Sequence, residues 1–332
     1  MLLLTSARPI PIEGGAWLSH RRSPDGVAPT PQHLRAGIVA YAAGDALGVP
    51  WEGRTPAEVR WEALETLPAR GDWPQGATSD DTAQLLLVAE YLVEADGQVD
   101  EQAFLGRLAM ALPRMRGAGP TTQAAVRRFV ATGELHATQG RSIGAAMRAL
   151  PFGWATPVAA AAHRRELTIR LSRTTHGAPE AIISASVIAE MAAWAIEQHP
   201  MDAVVTAGVR EADHMARLYA LPPTAVQLLQ QAASGGWTPS MAETTPDALP
   251  TVACVLHVLR EATSLATAMK QAVALGGDTD TAAAIVGGLL GCQSPDVTAD
   301  IPWLPRVVLP ESALIEATAI GLHALRQSLP RS

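Results

Sequence analysis

The chain divides into a long series of short segments whose apolar residues recur at spacings of three and four. Nowhere does it show the sustained alternation of a half-buried strand. From His33 the series Leu34, Ile38, Tyr41 and Ala42 marks one helix that ends at Gly48-Val49-Pro50. A second runs from about Asp81 to Ala95 on Leu85, Leu86, Val88 and Leu92. The same spacing predicts helices near 101–112, 120–132, 142–149, 156–171, 179–198, 202–219, 223–234, 250–262, 264–275, 281–291 and 312–328. A loop is expected from Trp51 to Thr78, and the other breaks are short and rich in glycine, proline and threonine. No fixed-period repeat or mid-chain linker interrupts the series. The prediction is one all-α domain over residues 31–330, preceded over 1–30 by a proline-rich extension that is loosely ordered or docks elsewhere.

Composition narrows the functional classes. With 332 residues, 48 % of them hydrophobic and much of that alanine, the chain can bury a core of closely packed helices and is not disordered as a whole. Its net charge of −7 argues against non-specific nucleic-acid binding, because no broad basic footprint is expected. Cys254 and Cys292 are too few for a disulfide scaffold and lack the spacing of a zinc site. The longest apolar run, Ala282 to Cys292, is about half of the ~20 residues a membrane span needs. A cytoplasmic protein acting as a monomer, away from membranes, is the expectation.

Two clusters carry the chemistry. Gly76-Ala77-Thr78-Ser79-Asp80-Asp81-Thr82 opens the second helix, and Gly276-Gly277-Asp278-Thr279-Asp280-Thr281 opens the one near 281–291. Either alone reads equally well as helix capping, where Asp, Ser and Thr accept bonds from free amides at the positive end of the dipole. Asp81 followed by Gln84 even has the form of a capping box. A cap needs only one oxygen, however, and a second carboxylate beside it adds repulsion unless a cation is shared. Brought together, the clusters supply four carboxylates and adjacent hydroxyls without sulfur or imidazole. That set suits hard divalent cations, Mg²⁺ or Mn²⁺, and its charge suits a pair of them.

With Gly44-Asp45-Ala46-Leu47-Gly48, these motifs resemble the ADP-ribosylglycohydrolases, including the enzymes that reactivate ADP-ribosylated dinitrogen reductase. The resemblance runs from about Arg35 to Gly291. It implies a compact, orthogonal all-α domain with a binuclear Mg²⁺ or Mn²⁺ site in a central cleft. The family's ligand pattern falls on Ser79, Asp80, Asp81, Asp278, Asp280 and Thr281, with Thr279 shaping the loop between ligands. Glu52, just after the G-D-A-L-G segment, matches a glutamate that approaches the scissile bond in family members. His176, in Ser172-Arg173-Thr174-Thr175-His176-Gly177, resembles the histidine that contacts ADP-ribose.

Two further segments match in part. Gly117-Ala118-Gly119-Pro120-Thr121-Thr122 offers amides to a diphosphate, or is a plain glycine-proline helix start. Some relatives have an aspartate where Gly117 stands. Ser142-Ile143-Gly144-Ala145-Ala146-Met147-Arg148 resembles the family's N-G-x-x-M-R stretch, with Ile143 in place of asparagine; Ser142 and Gly144 are candidate substrate contacts. The implied reaction is hydrolysis at the anomeric carbon of ADP-ribose, releasing it from a modified acceptor, a protein side chain first among them. Asp80 and Asp278 are the candidates to accept the water's proton, and Glu52 steers the sugar or assists the leaving group. The alternatives are hydrolysis of another ribosyl compound, including modified nucleic acid, and a non-catalytic member that only binds ADP-ribose.

Overall fold

A computed structural model describes residues 28–239 and 246–329, and among them thirteen α-helices and no strand longer than a single bridge. The extension expected over 1–30 lies outside these residues except for its last three. In chain order the helices are α1 (Pro31–Gly48), α2 (Asp80–Glu94), α3 (Glu101–Ala111), α4 (Pro120–Thr132), α5 (Leu150–Trp154), α6 (Ala161–Ser172) and α7 (Pro179–Ile196). They continue with α8 (Met201–Leu218), α9 (Gln227–Ser234), α10 (Ala248–Glu261), α11 (Leu265–Ala274), α12 (Thr279–Gly291) and α13 (Ser312–Ser328).

The centre of the molecule is the crossing of α1 and α12. α1 starts on Pro31, with Thr30 and His33 capping one another, and is buried almost throughout from Leu34 onward. Every residue of α12 is buried. Small side chains let the two backbones touch. A Cβ at Gly44 would lie 2.2 Å from the Ala283 carbonyl oxygen, and one at Gly48 would lie 2.4 Å from Asp280 Cα. Thr279 Oγ1 donates to the Gly48 carbonyl across the same contact at 2.9 Å. Around this pair pack α5, α7, α10, α11 and α13. The α7 helix is long and apolar enough to cross a membrane, but 78 % of it is buried by its neighbours, as a core helix requires.

The structure departs from the sequence pattern where tertiary contacts capture the backbone. Residues 142–149 form a 3-10 turn, Ile143–Ala145, and further turns rather than a helix. Ile143 N donates to Pro246 O, and Met147 O accepts from the Tyr41 hydroxyl, so the local groups have distant partners. A new helix, α5, then begins around Pro151. The helix expected from 156 starts only at Ala161, after Pro157 and a 3-10 turn. The expected 51–78 loop contains a 3-10 helix, Trp61–Thr66.

The backbone contact predicts contrasting effects for two alanines. Gly48→Ala places a methyl inside the α1–α12 contact and costs upward of ~3 kcal/mol, seen as a lower midpoint of urea unfolding. Gly106→Ala, in α3 with open space at its Cβ, gains roughly 0.5–1 kcal/mol from helix propensity. Equal stability of the two variants would contradict the packing.

Candidate active site

The first aspartate cluster is built by a serine cap and a buried carboxylate. Ser79 is the N-cap of α2 and its Oγ accepts from Asp81 N at 3.1 Å. Asp80 and Asp81 are therefore released from capping duty. The capping box expected between Asp81 and Gln84 does not form; Gln84 Nε2 instead donates to Asp80 Oδ2 at 2.6 Å. The loop is held from beneath by Asp45 of α1, which is wholly buried. Its carboxylate accepts from Ser79 N (2.9 Å), Thr82 N (3.1 Å) and Thr82 Oγ1 (2.5 Å). Sequence reasoning gave Asp45 no such role, although an acid inside an otherwise apolar helix was a signal of one.

The second cluster is fixed by a backbone clasp. Gly276 and Gly277 have φ of +74° and +79°, a region that disfavours side chains. Gly53 N donates to Gly277 O, and Gly277 N donates to Arg54 O, both at 2.8 Å. The turn carrying Glu52 is thereby tied to the start of α12. Asp278 precedes the helix, and Asp280 Oδ1 accepts from Thr281 N at 3.0 Å within its first turn.

These elements meet in one cleft of about 290 Å³, which is lined by every residue singled out from the sequence: Glu52, Ser79, Asp80, Asp81, Gly117, Gly119, Ser142, Gly144, His176, Asp278, Asp280 and Thr281. A larger groove of about 800 Å³, between α2, α3 and the start of α13, is lined mostly by apolar side chains. It holds Glu90 as its one carboxylate, whereas the smaller cleft gathers Glu52 and four aspartates.

The wall opposite the carboxylates is wired to them through Arg148, which is 1 % exposed. A guanidinium can only donate, and this fixes the polarity of both arms. On one side Arg148 Nη1 donates to Gln84 Oε1 at 2.5 Å, so the Gln84 amide must turn its NH₂ to Asp80. On the other, Arg148 Nη2 donates to Thr175 Oγ1, leaving the threonine hydrogen for His176 Nδ1 at 2.8 Å. His176 Nε2 then carries the proton and donates to Ser142 Oγ at 3.0 Å, which donates to Thr121 Oγ1 at 3.1 Å. Burial, reinforced by the Arg148 charge, pushes His176 down to about 3, so the ring is neutral. Gln84, Arg148 and Thr175 were missed as site residues because the contacts that join them, Arg148 to Gln84 and Arg148 to Thr175, span 64 and 27 positions.

At the mouth Glu52 is half-exposed and paired with Arg70, whose guanidinium lies 5.1 Å over the Trp73 ring. Trp73 reaches the space where some relatives carry an aspartate: a Cβ at Gly117 would lie 3.0 Å from Trp73 Cη2 and 3.5 Å from Asp80 Oδ1. Ile143 is buried and adds no polar group.

The sequence profile of the ADP-ribosylglycohydrolases matches residues 28–319. The chain belongs to the ADP-ribosylglycohydrolase family. A solved structure described as an ADP-ribosylglycohydrolase-related protein complex shares 28 % identity with it and superposes with a TM-score of 0.72, covering 89 % of this chain and 98 % of its own. A search among curated proteins finds no match. The family's activity is glycohydrolysis of ADP-ribose-type substrates, and its members generally depend on a divalent metal.

Among the described residues of this family member, no three His, Cys, Asp or Glu side chains already stand as a ready-made metal cage. The donor set nonetheless fits a hard cation. Asp81 Oδ2 is buried without any hydrogen-bond partner. Burial and mutual repulsion hold Asp81 and Asp280 well above the usual carboxylate range. Burial likewise raises Asp80 to about 7, against the Gln84 hydrogen bond, and Asp278 to about 6. Carboxylates crowded in this way need a counter-charge to ionise together, and the further oxygen donors beside them are the Ser79 and Thr281 hydroxyls.

The pH dependence follows with a definite sign. Groups raised from 3.8 to about 6–7 favour the native state fully below their unfolded pKa, and that contribution is lost as pH rises through 6–7. The metal-free protein therefore loses stability from these groups between about pH 4 and 7. A divalent cation restores it only where its ligands can ionise. Mn²⁺ or Mg²⁺ should raise the thermal midpoint more at pH 8 than at pH 5; an equal or larger rise at pH 5 contradicts the assignment.

Proposed function

We propose that this protein hydrolyses the bond at the anomeric carbon of ADP-ribose and releases ADP-ribose from a modified acceptor. The observation that carries this reading is the convergence, in one cleft, of the buried Asp80, Asp81 and Asp280 and the half-buried Asp278 with a wall of directed hydroxyl and imidazole donors. Asp81, Asp280, Ser79 and Thr281, with Asp80 and Asp278, are the residues that would hold two divalent cations. In such a nest the cations supply charge neutralisation and a lowered water pKa.

The remaining steps belong to the side chains. Negative potential from the carboxylates favours the oxocarbenium-like charge that develops on the ribose. The start of α4, with Gly119 as its N-cap and Thr121 and Thr122 in the cleft, presents free amides to the diphosphate. His176 and Ser142 have hydrogen-bond directions already set by Arg148, so they meet sugar hydroxyls without reorganising. Asp80, oriented by Gln84, or Asp278 takes the proton from the attacking water. Glu52 and its Arg70 partner stand at the mouth, where the acceptor departs.

Asp80→Asn and Asp278→Asn test the reading. Each should lower kcat/KM for ADP-ribose release by about 10²-fold or more while circular dichroism stays unchanged. Undiminished release by both variants overturns it.

A further inference from the structure

The apolar groove of about 800 Å³ beside the cleft is lined by Leu86 and Leu87 of α2, Met110 of α3, Met115, and Pro310 and Leu314 at the entry to α13. Five large apolar side chains are exposed among the described residues, and three of them gather here. Met110 is 75 % exposed on the groove itself, and Val308 stands two residues before Pro310. Ile320, 51 % exposed, lies further along α13. Apolar surface concentrated in this way marks a place where something docks. The polar groups of the groove offer little to a small polar ligand: Thr82 Oγ1 donates to Asp45, and Arg107 pairs with Glu94. Glu90 has no cation at ion-pairing distance among the described residues.

The chain carries a segment of matching chemistry. Residues 1–27 precede the described part and contain Leu2 to Leu4, Ile10, Ile12 and the pair Trp17-Leu18, with Arg8 among them. They join the fold on α13, where Pro29 O accepts from His323 Nε2 at 3.1 Å. His323 shares a side of α13 with Glu316, which pairs with Arg35 of α1. Leu314 is half a turn round on the groove side, and Ile320 lies on the outer face between the two. The path from His323 to Leu314 therefore covers about 13.5 Å along the helix and part of its ~10 Å girth. The residues between Leu18 and Pro29 alone reach about 33 Å when extended, so length is no obstacle. A tethered segment also meets the groove at an effective concentration of about millimolar, above that of a second copy or a free partner.

We infer that residues 1–27 fold back across Ile320 and seat their apolar side chains in the α2–α3–α13 groove, with Arg8 beside Glu90. Thr78 and Thr82 line the groove, and they flank the Ser79–Asp81 turn that lines the cleft. The docked arm thus backs the turn from the side away from the cleft. Its docking is independent of the proposed hydrolysis.

Photo-crosslinking of the full-length protein carrying Met110→p-benzoylphenylalanine, as a mixture of isotopically light and heavy chains, tests the docking. Mass spectrometry should find cross-links from position 110 to residues 1–18 with matched labels. Adding L3S/I10S/I12S, which removes apolar contacts but touches no described residue, should lower their yield at least ~5-fold. The same photoreactive group at Val130, exposed on α4 and outside the groove, is the control for random encounters. Equal arm cross-linking from 110 and 130 overturns the inference, as do mixed labels, which mean a second copy, or no cross-link to residues 1–27. Hydrogen exchange gives a second reading on the full chain without the photoreactive group. L3S/I10S/I12S should speed exchange of the α3 amides and of residues 83–87 relative to wild type, and unchanged exchange contradicts the docking.

Discussion

Where α1 and α12 cross, the backbone of Gly48 lies against that of Asp280 and the backbone of Gly44 against Ala283, with no room for a methyl group between them. That contact sets the position of everything in the cleft. It brings Asp45, one residue beyond Gly44, under the Ser79–Thr82 turn, and it sets the start of α12 beside the turn that carries Glu52. Larger side chains at these glycines would separate the two aspartate clusters before any question of ligation arose. Alanine-rich, aromatic-poor composition is thus a geometric requirement of the site as well as a packing preference.

The cleft holds an electrostatic conflict in balance. Five aspartates in and beneath the cleft, counting the scaffold Asp45 and the half-buried Asp278, have their carboxyl groups pushed upward mainly by desolvation. Asp45 is satisfied by backbone and hydroxyl donors and acts as scaffold, whereas Asp81 retains an oxygen with no partner at all. The fold bears this strain in the metal-free state, since strain at a site is tolerated where the surrounding structure over-determines it. The Arg148 hub extends the organisation across the cleft: one donor-only group orients an amide toward Asp80 and a hydroxyl toward His176.

The parts legible in the sequence were those whose causes are local. Helices α2, α4 and α13 follow apolar spacing and their starting residues, and the two aspartate clusters announced themselves by crowding acids where a cap needs one. Residues 142–149 failed as a helix because Ile143 and Met147 give their backbone groups to Pro246 and Tyr41, partners that spacing does not reveal. The Asp81–Gln84 box failed because Ser79 was the better-placed cap. Asp45 and Arg148 escaped notice for a related reason: Asp45 meets Ser79 34 positions away, and Arg148 meets Gln84 64 away.

The central claim is that Asp80, Asp81, Asp278 and Asp280 form a nest that requires divalent cations. Anomalous diffraction at the manganese edge, from crystals grown with Mn²⁺, tests it most directly. The account predicts anomalous peaks within ligating distance of carboxylates from both the α2 and the α12 clusters. Crystals that show no peak there, or manganese held by only one cluster, would contradict it.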